Sequence, residues 1–161
     1  MKIGDNDVNK YIGIPYLFAG HGFDGADCIG LARLFYHEHH YLPELYDGEF
    51  EKDWWKKDSH RMVRWLSKNM TKVDIENVEY GDFMYFNING EGHCGVYVGN
   101  GKMLSTFPPS TPQWDGSLLP DESMLIHVEY GAKGYVHVSG ERRDDVNGYL
   151  DMETTWYDKA T

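Results

Sequence analysis

Only two cysteines, Cys28 and Cys94, occur in the 161 residues. That is too few for the disulfide framework of a small secreted module, and neither has a neighbouring partner at metal-ligand spacing. No apolar run is long enough to cross a membrane, and the start, MKIGDNDVNK, has no apolar segment of the signal-peptide kind. The expectation is synthesis in a cytoplasm, with no membrane insertion. Any work done outside would then need carriage by something other than a classical signal. Cationic residues are also scarce, with 15 Lys+Arg against 26 Asp+Glu and a net charge of -11. No Lys/Arg stripe interrupts the acidic surface, so the long-range attraction on which nucleic-acid binding depends is missing. Internal repeats and low-complexity tracts are absent too.

Apolar material is plentiful: 41% of residues are hydrophobic and 15% aromatic. That suffices for one packed core and argues against general disorder. YIGIPYLFAGHGFDGAD, rich in Gly and aromatics, reads as a loop that delivers the chain into a helix from Cys28 to about His40. Leu31, Ala32, Leu34 and Phe35 form its apolar face, Asp27 stands at the N-cap, and Pro43 lies beyond its end. Residues 44 to 59 read as a loop with one helical turn. A second helix follows over about Ser59 to Met70, burying Met62, Val63, Trp65 and Leu66. The character then changes. GDFMYFNI, HCGVYVGN, KMLSTF, SMLIHVEY and GYVHVS are short β-rich runs, with hairpin signals at the Asn-Gly pairs 89–90 and 100–101, the second the cleaner. Helices first and a strand meander after predict an α+β domain, with N-terminal helices packed on an antiparallel sheet of about five strands. The domain is expected over residues 1–140. Residues 141–161, polar and acidic with Trp156 and Tyr157 near the end, read as a C-terminal extension that docks or frays.

Cys28 is the sharpest chemical feature. At a helix start, unpaired amides and the helix dipole favour thiolate over thiol, and Gly25 and Gly30 allow a substrate backbone to approach. Alone, such a cysteine reads first as a small buried hydrophobe. A cysteine nucleophile needs a base that is remote in sequence. Of the eight histidines, His93 is the best placed: it opens a strand whose other face, Cys94, Val96 and Val98, is apolar and can anchor it. Gly95 beside it is expected to leave room for a substrate or a helix end.

YIGIPYLFAG, GFDGADCIGL, GDFMYF and HCGVYVGNGKML, in that order and spacing over about residues 11 to 107, resemble the NlpC-type cell-wall cysteine peptidases. The joint occurrence of Asp-Cys-x-Gly at a helix start and a His-x-Gly-x-Tyr-x-Gly strand carries the resemblance far better than either motif alone. It implies a compact papain-like fold with Cys28 as nucleophile and His93 as base. It also implies hydrolysis of peptidoglycan stem peptides, commonly at the D-γ-glutamyl to diamino-acid bond, with no cofactor and no metal. The amide of Cys28 would serve the oxyanion hole, and Tyr16 and Asp27 would line the substrate site. Against an anionic wall, a net charge of -11 calls for short-range contacts or delivery by a partner. DCIGLARLFYHEHHYLPEL further resembles the members encoded in bacteriophage tail modules, implying a location in the virion tail among tail-tip or baseplate proteins.

One position departs from the family. The third catalytic place, usually His, is matched by Ser105, a shorter and less basic acceptor for the far ring nitrogen of the base. Three readings stay open: Ser105 orients the imidazole weakly; Gln113, Asn87 or His127 does so instead; or the domain is chiefly a structural component of a tail tip. HEHH at 37–40 offers at most two ligands on one helical face and reads as surface histidines rather than a metal site. Trp54-Trp55 reads as packing, and FPPSTPQW as a loop able to border the cleft.

Overall fold

The computed structural model describes residues 8–159 apart from 43, 47, 50, 52, 53, 59, 89, 90, 107–121, 131–134 and 140–149. The Gly- and aromatic-rich lead-in forms a two-residue-per-arm hairpin, β1 (His21–Gly22) and β2 (Gly25–Ala26), which hands the chain directly to α1 (Cys28–His39). Leu31, Ala32, Leu34 and Phe35 are buried as their spacing requires, and Tyr36 joins them. The helix stops at His40, whose left-handed backbone (φ 57°) turns its amide back onto the carbonyls of His37 and Tyr36. That is the usual geometry for closing a helix C-terminus, here without glycine. A single helical turn, α2 (Trp54–Lys57), precedes α3 (Arg61–Asn69), in which Met62 and Leu66 are buried and Val63 and Trp65 pack against the core from its edge.

The sheet comprises β3 (Lys72–Val73), β4 (Phe83–Ile88), β5 (Glu91–Tyr97), β6 (Lys102–Ser105), β7 (Met124–Tyr130), β8 (Tyr135–Ser139) and β9 (Leu150–Tyr157). All the pairings are antiparallel, in the order β3-β9-β4-β5-β6-β7-β8, and β9 also pairs with β8. The ladder from β4 through β8 is therefore closed by β9, which shields strand edges that would otherwise be open. The five expected strands are all present and the class is α+β. Sequence periodicity missed two members of the sheet, β3 with only two residues and β9 with an alternation diluted by Asp, Glu and Thr.

The expected C-terminal extension is corrected here. Residues Leu150–Tyr157 are integral to the sheet: β9 lies beside β4 with Met84 opposite Trp156 and Phe83 opposite Tyr157, and both aromatics are buried. Lys159 then reaches the buried carboxylate of Asp82 at 3.4 Å and Glu79 at 3.1 Å. Asn100 and Gly101 both have positive φ (53° and 69°), the pair a tight primed turn needs between β5 and β6. Asn89 and Gly90 lie outside the described residues. The core is one cluster in which α1 faces β4, β5 and β6, with Phe35, Phe83 and Leu66 fully enclosed.

Candidate active site

The first turn of α1 is fixed by Asp27. Its Oδ1 accepts from the amide of Gly30 and its Oδ2 from the amide of Ala19, both at 2.8 Å, while its carbonyl takes the amide of Leu31. One side chain thus caps the helix and clamps the lead-in loop, in which Ala19 is left-handed (φ 61°), to the helix start. Cys28 opens α1, and the first amides of a helix lack intrahelical acceptors, which suits its own amide to the donor role expected in an oxyanion hole. Gly30 is obligatory at its place, since a Cβ there would overlap the carbonyl oxygen of Gly20.

His93 is buried on β5, opposite Phe86 of β4. The packing of α1 on β5 brings the strand that carries His93 to the helix that opens with Cys28, and the imidazole favours the Cys28 thiolate. Cys94, the next residue, is fully buried. Donation from the Cys94 thiol comes first in holding the Cys28 thiol well below its ordinary range. The His93 hydrogen bond, the imidazolium charge and the Cys94 amide follow, against an opposing effect of burial. Burial, reinforced by the Cys28 thiolate, pushes Cys94 in the opposite direction. Of the two sulfurs, Cys28 is the one favoured to ionise and Cys94 the one favoured to keep its proton. Sequence reading placed Cys94 only on an anchoring apolar face. The available signal was its adjacency to the candidate base.

Gly95 does not leave room for a substrate. The side chain of Met103 fills the place of the missing Cβ, so the glycine serves the packing of β6. Ser105, buried at the end of β6, donates its hydroxyl to the carbonyl of Cys94 at 2.8 Å. This contact braces the strand just after His93, and it directs the serine proton to the backbone. Of the other candidates for the third place, Gln113 lies outside the described residues. Asn87 and His127 fall on β4 and β7, and their side chains are likewise outside the description.

Tyr16 is half-buried and bridges to Ala26. Burial, then the charges of Cys28 and Asp27, hold its phenol above its ordinary range, so it stands beside the thiolate as a neutral hydroxyl. Asp27 is pushed up to about 7, chiefly by burial and next by the Cys28 charge, against the pull of its amide donors. With both oxygens occupied by backbone, its described role is positional. The sign follows from linkage: a carboxyl that binds its proton more tightly folded than unfolded costs stability as pH rises from the ordinary carboxylate range to about 7. Asp27→Asn should therefore be less destabilising at pH 8 than at pH 5, measured by urea unfolding at each pH. An equal penalty at the two values would contradict the shift.

An open cleft of about 410 Å³ borders the helix start, lined in part by Ala19, His21, Ile29, Arg33, Tyr46 and Glu49. The Arg33 guanidinium lies 4.3 Å over the Tyr46 ring. The HEHH cluster makes no metal site among the described residues. His39 is stacked on Phe35 at 3.9 Å, while His37 and His40 are exposed. Trp54 packs against the core as expected; FPPSTPQW lies outside the described residues.

The sequence model of the NlpC/P60 family matches residues 13–111. The chain belongs to the NlpC/P60 family. Its members are in general cysteine peptidases that act on peptidoglycan. Two curated relatives are the gamma-DL-glutamyl hydrolase of Bacillus subtilis strain 168 and the gamma-D-glutamyl-L-lysine dipeptidyl-peptidase of Bacillus cereus ATCC 10987. The first is 30% identical over 104 residues, 61% of this chain and 21% of the relative. The second is 29% identical over 103 residues, 62% of this chain and 26% of the relative. The chain thus spans about a quarter or less of the length of either. Among solved structures, an NlpC/P60 family protein from B. cereus ATCC 10987 aligns with a TM-score of 0.47 and 23% identity, covering 79% of this chain and 36% of that one. The NlpC/p60 domain of the peptidoglycan hydrolase SagA aligns at 0.42 and 20%, covering 74% and 82%.

Proposed function

We propose that this NlpC/P60 domain hydrolyses peptidoglycan stem peptides at the D-γ-glutamyl to diamino-acid bond, and that it works in a bacteriophage tail beside tail-tip or baseplate proteins. The observation that carries the chemistry is the placing of the Cys28 thiol at the start of α1, packed on the strand that bears the buried His93, where its proton affinity falls below the ordinary range. Two relatives whose names specify γ-glutamyl substrates support the choice of bond. The tail location rests on the resemblance of the DCIGLARLFYHEHHYLPEL segment.

In this reading the Cys28 thiolate adds to the stem-peptide carbonyl, and the developing oxyanion takes the Cys28 amide. His93 protonates the leaving amine. The resulting thioester is opened by a water whose proton His93 accepts, and Cys28 is restored. The cleft beside Asp27 supplies the surface on which a short peptide can lie.

Digestion of defined muropeptides, with the new termini identified by mass spectrometry, tests the proposal. The expected products carry a free γ-carboxyl on glutamate and a free amine on the diamino acid. Cleavage elsewhere, or intact substrate, would overturn it. A second reading, a tail component with little catalysis, draws on Ser105, whose proton goes to the backbone carbonyl of Cys94. It predicts that phage carrying Cys28→Ala still assemble infectious tails.

A further inference from the structure

One flank of α1 carries a cation that the catalytic steps do not use. The Arg33 guanidinium lies 4.3 Å over the ring of Tyr46, and both residues line the cleft of about 410 Å³ that borders Asp27, Ile29 and Gly30. We propose that Arg33, steadied on Tyr46, binds a carboxylate of the stem peptide while the adjoining amide bond is presented to Cys28. The inference rests on the reading of the domain as a stem-peptide hydrolase and names what its cleft recognises.

Arg33 follows Cys28 by little more than one turn of α1, a rise of about 7.5 Å. Side chains on a helix lean toward its N-terminus, which returns the guanidinium toward the helix start. Accordingly it shares the cleft with Ile29 and Gly30, one turn earlier. On a γ-linked glutamate the α-carboxylate hangs about 5 Å from the scissile carbonyl. The diamino acid carries its own carboxyl just beyond the leaving nitrogen. Either group extends toward a cation set back from the thiol by such a distance.

A purely structural clip between Arg33 and Tyr46 is the competing explanation. The segment around Tyr46 has other anchors, however. Leu45 is buried in the core, and Arg61 donates to the carbonyls of Gly48 and Glu49 at 3.2 and 3.1 Å. Among the described residues the ion pairs belong to Lys10, Lys57, Arg64 and Lys159, and Arg33 is in none of them. Stacking occupies the flat face of the guanidinium and leaves its N–H edge for a planar, two-oxygen acceptor. Asp27 does not compete, because its oxygens accept from the amides of Gly30 and Ala19. Glu49 also lines the cleft, but it is exposed, where water and salt screen its repulsion. In a chain of net charge -11, Arg33 and the start of α1 give this cleft a local attraction for an anion.

The test measures kcat/KM on three stem peptides: the parent, one amidated at the glutamate α-carboxyl, and one amidated at the carboxyl of the diamino acid. One of the two amidations should slow the wild-type domain roughly tenfold to a hundredfold, and the arm that does so identifies the carboxylate. Arg33→Gln should fall by the same factor on the parent and be indifferent to that amidation, with Arg33→Lys between the two. A clip would slow all three peptides alike, and that result overturns the site. Wild-type protein indifferent to both amidations overturns it too, without need of a variant that folds. Cleavage in either case leaves the hydrolase standing. If no peptide is cut, the hydrolase reading fails, and calorimetric titration of the same peptides into the wild-type chain decides the site alone. Tighter binding of the parent by the same factor sustains it, while equal binding or none overturns it.

Discussion

Cys28→Ala and His93→Ala should each lower release of fragments from purified sacculi by at least about a thousandfold, the scale on which nucleophile and base operate. The two losses have different causes. Without the Cys28 sulfur no thioester can form. Without His93 the thiolate loses both a hydrogen bond and a stabilising charge, and the leaving amine loses its proton donor. The double variant should be little worse than either single one, because the residues act as a unit. The folded state is the control. Cys28 is the first residue of α1 and only part-buried, so Cys28→Ala should keep its unfolding midpoint. Activity surviving Cys28→Ala would remove the covalent mechanism altogether.

A chain ended after Ser139 should lose cooperative unfolding. It lacks β9, the partner of β3, β4 and β8, and with it the buried Trp156 and Tyr157. Truncating one large buried aromatic to alanine costs roughly 3–5 kcal/mol, against a total stability of about 5–15 kcal/mol. Two such losses are comparable to the whole stability of a domain, and the backbone hydrogen bonds of β4 are left open in addition. A docking tail would behave otherwise: its removal would leave the thermal transition in place. Calorimetry of the truncated chain distinguishes the two, and Trp156→Ala in the full chain gives a graded version, with a melting temperature several degrees lower.

Much of this was legible in the sequence because it rests on local rules. A 3.6-residue apolar spacing behind an Asp cap produced α1 with the boundary expected, and Asp-Cys-x-Gly set Cys28 on its first turn. The five alternating runs became β4 to β8. What was not legible depends on long-range register. The alternation of β9 is hidden by polar residues, so a strand that closes the sheet reads as an acidic tail. Cys94 reads as an anchoring side chain, and its influence on the proton affinity of Cys28 follows only once α1 packs on β5. Gly95 reads as open space until Met103 from the next strand fills it. Ser105 was found at the expected place on β6, yet its hydrogen bond runs to a backbone carbonyl, a choice that no spacing rule specifies.

The mechanism requires Cys28 to ionise at neutral pH while Cys94 keeps its proton. The most direct measurement is the rate of alkylation of each cysteine by iodoacetamide in the folded protein from pH 5 to pH 9, with labelled peptides separated by mass spectrometry. Cys28 should react well below the range of a free thiol, follow a profile displaced upward in pH by His93→Ala, and leave Cys94 unlabelled throughout. Cys28 that reacts no faster at neutral pH than a model thiol, or labelling that falls first on Cys94, would contradict the account.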